Sequence, residues 1–246
     1  MDLQAYLGRI GYSGIVSPDL ETLQAIHRAH FLNVPFENLD ISRGVRVEVD
    51  EAVNFDKIVT RRRGGFCLEL TGMFARALRQ IGFRVDVIGA RVLTEGHLSH
   101  PMSHMTLIVH LDEDWIADVG FGGRIIEPLR LSERGVQVFG MRRYVVENDG
   151  DHWFVTCIET GYDTLSYTFV MQPREFEEFN PVCDWLQTSP ESRFTQGDVI
   201  SLATQIGRTT LARGRLITFD GTTHEEKDVS TEEQQAIVRE QFGMNA

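Results

Sequence analysis

The hydrophobic period of this chain changes once, and the position of the change limits the folds open to it. Up to Ile81 the apolar residues recur at helical spacing; beyond Gly82 they alternate. Leu20, Leu23, Ile26 and Phe31 mark one helix, with Ser17 expected as its cap and Pro18, Asp19 and Glu21 in its first turn. It should stop before VPFENLDI, because Pro35 disfavours helical geometry at Val34 and removes a backbone donor. Leu70, Phe74, Leu78 and Ile81 mark a second helix that begins at Cys67 and is closed by Gly82.

After that point FRVDVIGARV, MTLIVHL, WIADVGF, RYVVE, WFVTCIE, LSYTFVM and GRLITF read as short strands, β-branched or aromatic and separated by turn residues. LDEDW and ENDGDH are expected to be hairpin turns. Ser230 and Glu233 form an S-x-x-E capping box before a short helix ending at Gly243. Helices, then strands as a sheet or small barrel, then a mixed tail imply an α+β fold.

Composition narrows the partners. A net charge of -12 argues against nucleic acid or an anionic membrane, both of which demand clustered Lys and Arg, and leaves a small molecule. The 246 residues contain no apolar run long enough for a spanning helix, and MDLQAYLGRIGYSG lacks the layout of a signal peptide, so a cytoplasmic location is expected. Three cysteines without a C-x-x-C pair suit neither a disulfide framework nor structural zinc, so free thiols are expected.

Gly64-Gly65-Phe66-Cys67 places one of those thiols on the first turn of a helix, after two glycines that should let the backbone turn sharply. A helix N-terminus favours a thiolate, and Arg61, Arg62 and Arg63 add positive potential if they lie nearby. The same amides suit an oxyanion. The competing reading is a small buried hydrophobe, which is the reading favoured for Cys157 and Cys183.

A nucleophilic cysteine needs a base, and the base an orienting acceptor. His104 opens HMTLIV and Asp118 lies in ADVGF, beyond the LDEDW turn. A hairpin pairing Leu111 with Trp115 sets both on one sheet face but pairs Asp118 with Ile108, leaving His104 about 13 Å away. Contact then needs a bulge, a strong twist or another register. His97, His100 and His104 lack a carboxylate or cysteine at ligand spacing, so no metal is expected. Gly120-Phe121-Gly122-Gly123 matches no phosphate-binding pattern.

Taken together, VPFENLDI, RRRGGFCLEL, SHMTLIV, ADVGFG and LQTSPESRF resemble the arylamine N-acetyltransferases, nearly from end to end. The resemblance implies a papain-like cysteine-enzyme core: a helical bundle near residues 1–82, a β-barrel near 83–190 and an α/β lid near 191–246. It implies ping-pong acetyl transfer from acetyl-CoA as co-substrate to an arylamine or hydrazine, a role in xenobiotic metabolism, and Cys67, His104 and Asp118 as the catalytic triad. Phe36, Phe66, Phe121 and Gly122 match substrate-binding positions. The family usually has an asparagine where this chain has Thr71. The triad alone leaves open a cysteine hydrolase or an amide synthase, intact triad residues argue against a mere binding module, and a homodimer is left open.

Overall fold

The computed structural model describes residues 1–94, 96–158 and 164–244. The chain begins with α1 (Leu3–Arg9), α2 (Leu20–Asn33), a short strand β1 (Phe36–Glu37), α3 (Leu39–Ser42), α4 (Glu51–Phe55) and a π-helical turn (Asp56–Thr60). Helix α5 (Cys67–Ile81) follows. The strands are then β2 (Arg84–Thr94), β3 (His97–Leu98), β4 (His104–His110), β5 (Asp114–Ala117), β6 (Leu129–Arg130), β7 (Gln137–Phe139), β8 (Arg142–Asn148), β9 (His152–Ile158) and β10 (Leu165–Pro173). Helix α6 (Asn180–Thr188) leads to β11 (Val199–Ala203), β12 (Arg208–Ala212), β13 (Arg215–Phe219), β14 (His224–Asp228) and α7 (Thr231–Glu240). The fold is α+β, as the change of period implies. Among the described residues no helix is long and apolar enough to cross a membrane.

The larger sheet is antiparallel and runs β6-β5-β4-β2-β10-β9-β8-β7, with β3 on the end of β2. It curls into a nearly closed barrel. At the seam the Gln137 side chain of β7 replaces the missing ladder: it accepts from the Arg130 amide of β6 and donates to the Arg130 carbonyl, both at 2.9 Å. Residues on β4 are buried on both faces. Leu107 and Val109 pack with α5 residues Leu70 and Phe74, while Ile108 points into the barrel with Ile116, Tyr144 and Tyr167. This explains why MTLIVHL has no polar alternation.

The smaller sheet runs β1-β11-β12-β13-β14, so the VPFEN segment and the C-terminal part share one ladder, with Phe36 opposite Ser201. Helix α7 covers it through Ile237 and Val238. GRLITF therefore belongs to this second sheet rather than to the barrel. Helix α6 returns to the N-terminal core through Val182, Cys183 and Leu186.

Local expectations need four corrections. The cap of α2 is Asp19, not Ser17: the Asp19 carboxylate accepts from Thr22 N at 2.8 Å, two residues closer to the first turn. The last helix stops at Glu240, and Gly243 lies beyond it in the left-handed region at φ 63°. The capping box is present, with Ser230 and Glu233 exchanging hydrogen bonds. Gly64 and Gly65 are not at positive φ. They are close-approach positions: a Cβ on Gly64 would stand 2.0 Å from the Pro35 carbonyl oxygen where the chain enters β1, and one on Gly65, which exchanges backbone hydrogen bonds with Pro35 and Glu37, would stand 2.9 Å from the Glu69 Cβ and Oε2. Finally, β5 ends at Ala117, leaving Asp118 just outside the strand.

A buried ionic cluster fixes the start of α5. Lys57 Nζ lies 2.8 Å from Glu69, 2.9 Å from Asp40 and 3.8 Å from Glu37, and Arg63 pairs with Glu37 at 2.7 Å and Asp40 at 3.0 Å. The charge of Arg63 is thus matched locally rather than left to act on the thiol. Burial pushes the Glu69 carboxyl up to about 7 against the pull of Lys57. Its second oxygen accepts the Phe66 amide at 3.0 Å, tying the cluster to the residue before Cys67. Replacing Lys57 with Met would leave carboxylates buried without their shared cation, so a loss of about 3–5 kcal/mol is expected in urea unfolding. Unchanged or increased stability would contradict this role.

Candidate active site

Cys67 occupies the first position of α5 and is almost fully buried, at 3% exposure. Its sulfur lies 3.5 Å from the Ser103 carbonyl oxygen, next to His104 at the start of β4. His104 and Asp118 are buried, and His104 Nε2 lies 2.7 Å from Asp118 Oδ2. The Cys67 thiol lies near enough to raise the proton affinity of the imidazole. With Nε2 committed to the carboxylate, Nδ1 is the ring atom left for the sulfur. The three residues singled out in the sequence are therefore brought together.

The register resolves the distance problem. Val109 rather than Leu111 pairs with Trp115, and Leu107 pairs with Ala117, a shift of two residues from the simple hairpin. The shift keeps every side chain on its expected face. Continued past Ala117, it brings Asp118 level with Thr106, two residues from His104 on the same face. Asp118 is then free of the ladder and closes the remaining gap. Its Oδ1 accepts the Gly120 amide at 2.9 Å.

Gly120 is required for this meeting. A Cβ there would lie 2.9 Å from Cys67 Cα and 3.0 Å from the Cys67 carbonyl oxygen, both backbone atoms, and 2.5 Å from Thr71 Oγ1. The asparagine-to-threonine departure at Thr71 therefore falls at the contact between α5 and the aspartate loop.

Burial alone would lower the affinity of His104 for a proton. The Asp118 carboxylate and the Cys67 sulfur overcome it and push the imidazole up to about 10. The environment thus holds a charged imidazolium between two groups that favour it, suited to keeping a thiolate and delivering a proton.

The aromatic positions divide. Phe121 stands against His104, ring centroids 5.1 Å apart, and edge-on to Tyr167 at 4.9 Å. Phe36 and Phe66 instead meet at Phe194, with centroids 6.1 and 5.3 Å away, and Phe66 is fully buried. Gly122, at φ 58°, has nothing within 4 Å of where a side chain would stand, so open space adjoins Phe121. The three clustered histidines diverge: His97 is exposed on β3, His100 stacks on Trp185 at 4.6 Å, and His104 faces Asp118. Among the described residues no group of three or more His, Cys, Asp or Glu is arranged around a common metal position.

The site also contains residues that the strand and motif patterns missed. Tyr167 packs on the His104 ring at 5.0 Å and lies 3.2 Å from Thr106 Oγ1 through its hydroxyl. His27 of α2 accepts the Asp118 amide at 3.1 Å. A histidine beside Ile26 and Leu23 on the apolar face of a helix was the one sequence signal for it.

These titrations set the pH range of greatest stability. Burial holds His27 at about 4 and His30 well below 6.5. As pH falls from about 6.5, unfolded His27 and His30 take up protons that the folded forms refuse, while Glu69 offsets one of them. His104 acts in the opposite direction, favouring the fold below about 6.5 and losing that contribution as pH rises toward about 10. Stability should therefore peak near pH 6.5 and decline on the acid side by up to about 1.4 kcal/mol per pH unit for the one net proton. Urea midpoints that keep rising from pH 6.5 down to 5 would refute that balance.

A family model described as N-acetyltransferase matches residues 19–246. The arylamine N-acetyltransferase of Escherichia coli (strain K12) is 34% identical over 195 residues, covering 78% of this chain and 69% of that protein. That of Mycolicibacterium smegmatis is 34% identical over 256 residues, covering 100% of this chain and 92% of its own. The solved structure of the M. smegmatis arylamine N-acetyltransferase superposes with a TM-score of 0.93 at 32% identity, over 100% of this chain and 93% of that one. The Mycobacterium marinum arylamine N-acetyltransferase in complex with CoA superposes at 0.92 with 28% identity, over 99% and 93%. These are proteins of the papain-like fold, and the α5–barrel arrangement described above is theirs. By family model, relatives and architecture alike, this chain belongs to the arylamine N-acetyltransferase family.

Proposed function

We propose that the chain transfers an acetyl group from acetyl-CoA through a thioester on Cys67 to the nitrogen of an arylamine or hydrazine. The observation that carries this reading is the buried 2.7 Å contact between His104 and Asp118, with the Cys67 sulfur 3.5 Å from the carbonyl oxygen of Ser103, the residue before His104. In the first half-reaction the Cys67 thiolate attacks the acetyl carbonyl carbon, a carbon–sulfur bond forms, and the CoA thiolate leaves with a proton from His104. The Cys67 backbone amide, at the positive end of α5, suits the developing oxyanion. In the second, the amine nitrogen attacks the enzyme thioester, His104 takes the amine proton, and Cys67 departs as thiolate. Asp118 keeps the imidazole in the orientation and charge state both halves need.

Phe121, packed on the His104 ring, and Gly122, with open space beside it, are assigned to the acceptor ring, with Phe36 and Phe66 as a second apolar wall through Phe194. Phe66, fully buried, acts by shaping that wall rather than by open contact.

Incubation with acetyl-CoA and no amine should add one acetyl group to the intact mass, and Cys67→Ala should abolish the adduct while keeping the native unfolding transition. Absence of the adduct in the native chain, or retention of turnover in Cys67→Ala, would remove the proposed nucleophile; release of free acetate with every amine tried would favour a hydrolase. Gly120→Ala should lower the acetylation rate about a hundredfold, since an added methyl must displace the Cys67 backbone. A native rate in that variant would show that the close approach is dispensable.

A further inference from the structure

His27 lies on α2, outside every motif that carries the chemistry, yet it is fully buried with its ring held between two parts of one loop. Nε2 lies 3.1 Å from the Asp118 amide nitrogen, and Nδ1 lies 3.2 Å from the Ile126 carbonyl oxygen. These partners allow one assignment. An amide can only donate, so Nε2 accepts; a carbonyl can only accept, so Nδ1 carries the proton. The ring is a neutral Nδ1–H tautomer, and a second proton would face the Asp118 N–H.

The loop so held runs from the acid, Asp118, through Phe121 and Gly122 to Ile126. The next residue of the helix repeats the grip: Arg28 pairs with Glu127, again 99 residues apart. Asp118 is thereby fixed at its carboxylate by His104 and Gly120 and at its amide by His27. Phe74 of α5 closes the other side of the His27 ring, edge-on at 5.6 Å.

We propose that His27 is a positioning residue for the reaction: through a fixed neutral tautomer it sets the backbone of Asp118, and through Asp118 the orientation of His104 toward Cys67. The proposal rests on the reading of Cys67, His104 and Asp118 as the reacting set. The groups facing His104 are the Cys67 sulfur, the Asp118 carboxylate and the Tyr167 hydroxyl-bearing ring. Those facing His27 are Asp118 and His30. A shift of about 1 Å in a catalytic group costs on the order of a hundredfold in rate.

The test reads thiolate activation directly, as the rate of Cys67 alkylation by iodoacetamide against pH, with Cys67→Ala as the blank. His27→Leu, close in volume and unable to make either hydrogen bond, should slow alkylation near neutral pH at least tenfold and move the midpoint of its pH profile upward. It should lower kcat for acetyl transfer with little change in KM for the amine. His27→Gln, whose amide oxygen and nitrogen can serve the same two partners, should recover most of the rate. Asp118→Asn distinguishes a wrong reacting set from a wrong role for His27. If Asp118→Asn leaves the alkylation profile native, the reacting set itself is wrong; if Asp118→Asn disturbs it and a folded His27→Leu does not, only the role of His27 is wrong. Should His27→Leu fail to fold, the native chain still decides, because nitrogen-resolved NMR must show the His27 ring as the neutral Nδ1–H form from pH 5 to 8, and an Nε2–H or doubly protonated ring would overturn the assignment.

Discussion

The hydrogen bond between His104 and Asp118 is the contact around which the rest of the molecule is arranged. A charged imidazole and a carboxylate in the interior are stable together only if neither is left alone and water cannot replace one of them. That requirement explains why both sit where two cores meet, with α5 packed on one face of β4 and the barrel interior filled on the other. It also explains the supporting donors. Asp118 has Gly120 on its free oxygen, and His104 packs in a triangle of rings with Phe121 and Tyr167.

The second constraint is how near the backbones must come. Cys67 reaches this pair because glycines stand at the two places where side chains would intervene: Gly64 under the crossing of β1, and Gly120 against Cys67 itself. Both are close-approach glycines rather than turn glycines. The cluster of Lys57, Arg63, Glu37, Asp40 and Glu69 then holds the start of α5 to β1 and α3, so Cys67, the crossing strand and the charges beneath them form one unit. The arrangement shares charge internally, leaving the helix end and the imidazole as the features that act on the thiol.

Much of this was legible in the residues. The helix closed by Gly82, the stop before Pro35, the run of strands, the LDEDW hairpin and the Ser230 box all follow from local chemistry, because each depends on neighbours within a few positions. The errors are local too, and instructive. Ser17 and Asp19 are both good caps, and only the packed helix determines which one lies within reach of Thr22. The simple hairpin differs from the observed β4–β5 register by two residues because LDEDW permits more than one loop length, and alternation cannot distinguish registers that differ by two. Nothing local assigns Tyr167, Phe194 or His27 to the site, because their partners Thr106, Phe66 and Asp118 are 61, 128 and 91 residues away.

The sequence by itself determined the class of fold and, through its family resemblance, singled out Cys67, His104 and Asp118 as the candidate reacting set, since period, glycine placement and residue chemistry are properties of short segments. Tertiary structure alone decided that Cys67, His104 and Asp118 come together, that Arg63 pairs with Glu37 and Asp40, and that His27 of α2 accepts the Asp118 amide. Those outcomes depend on distances between segments far apart in the chain, which are set by how a helix, a curled sheet and their buried charges fill space together.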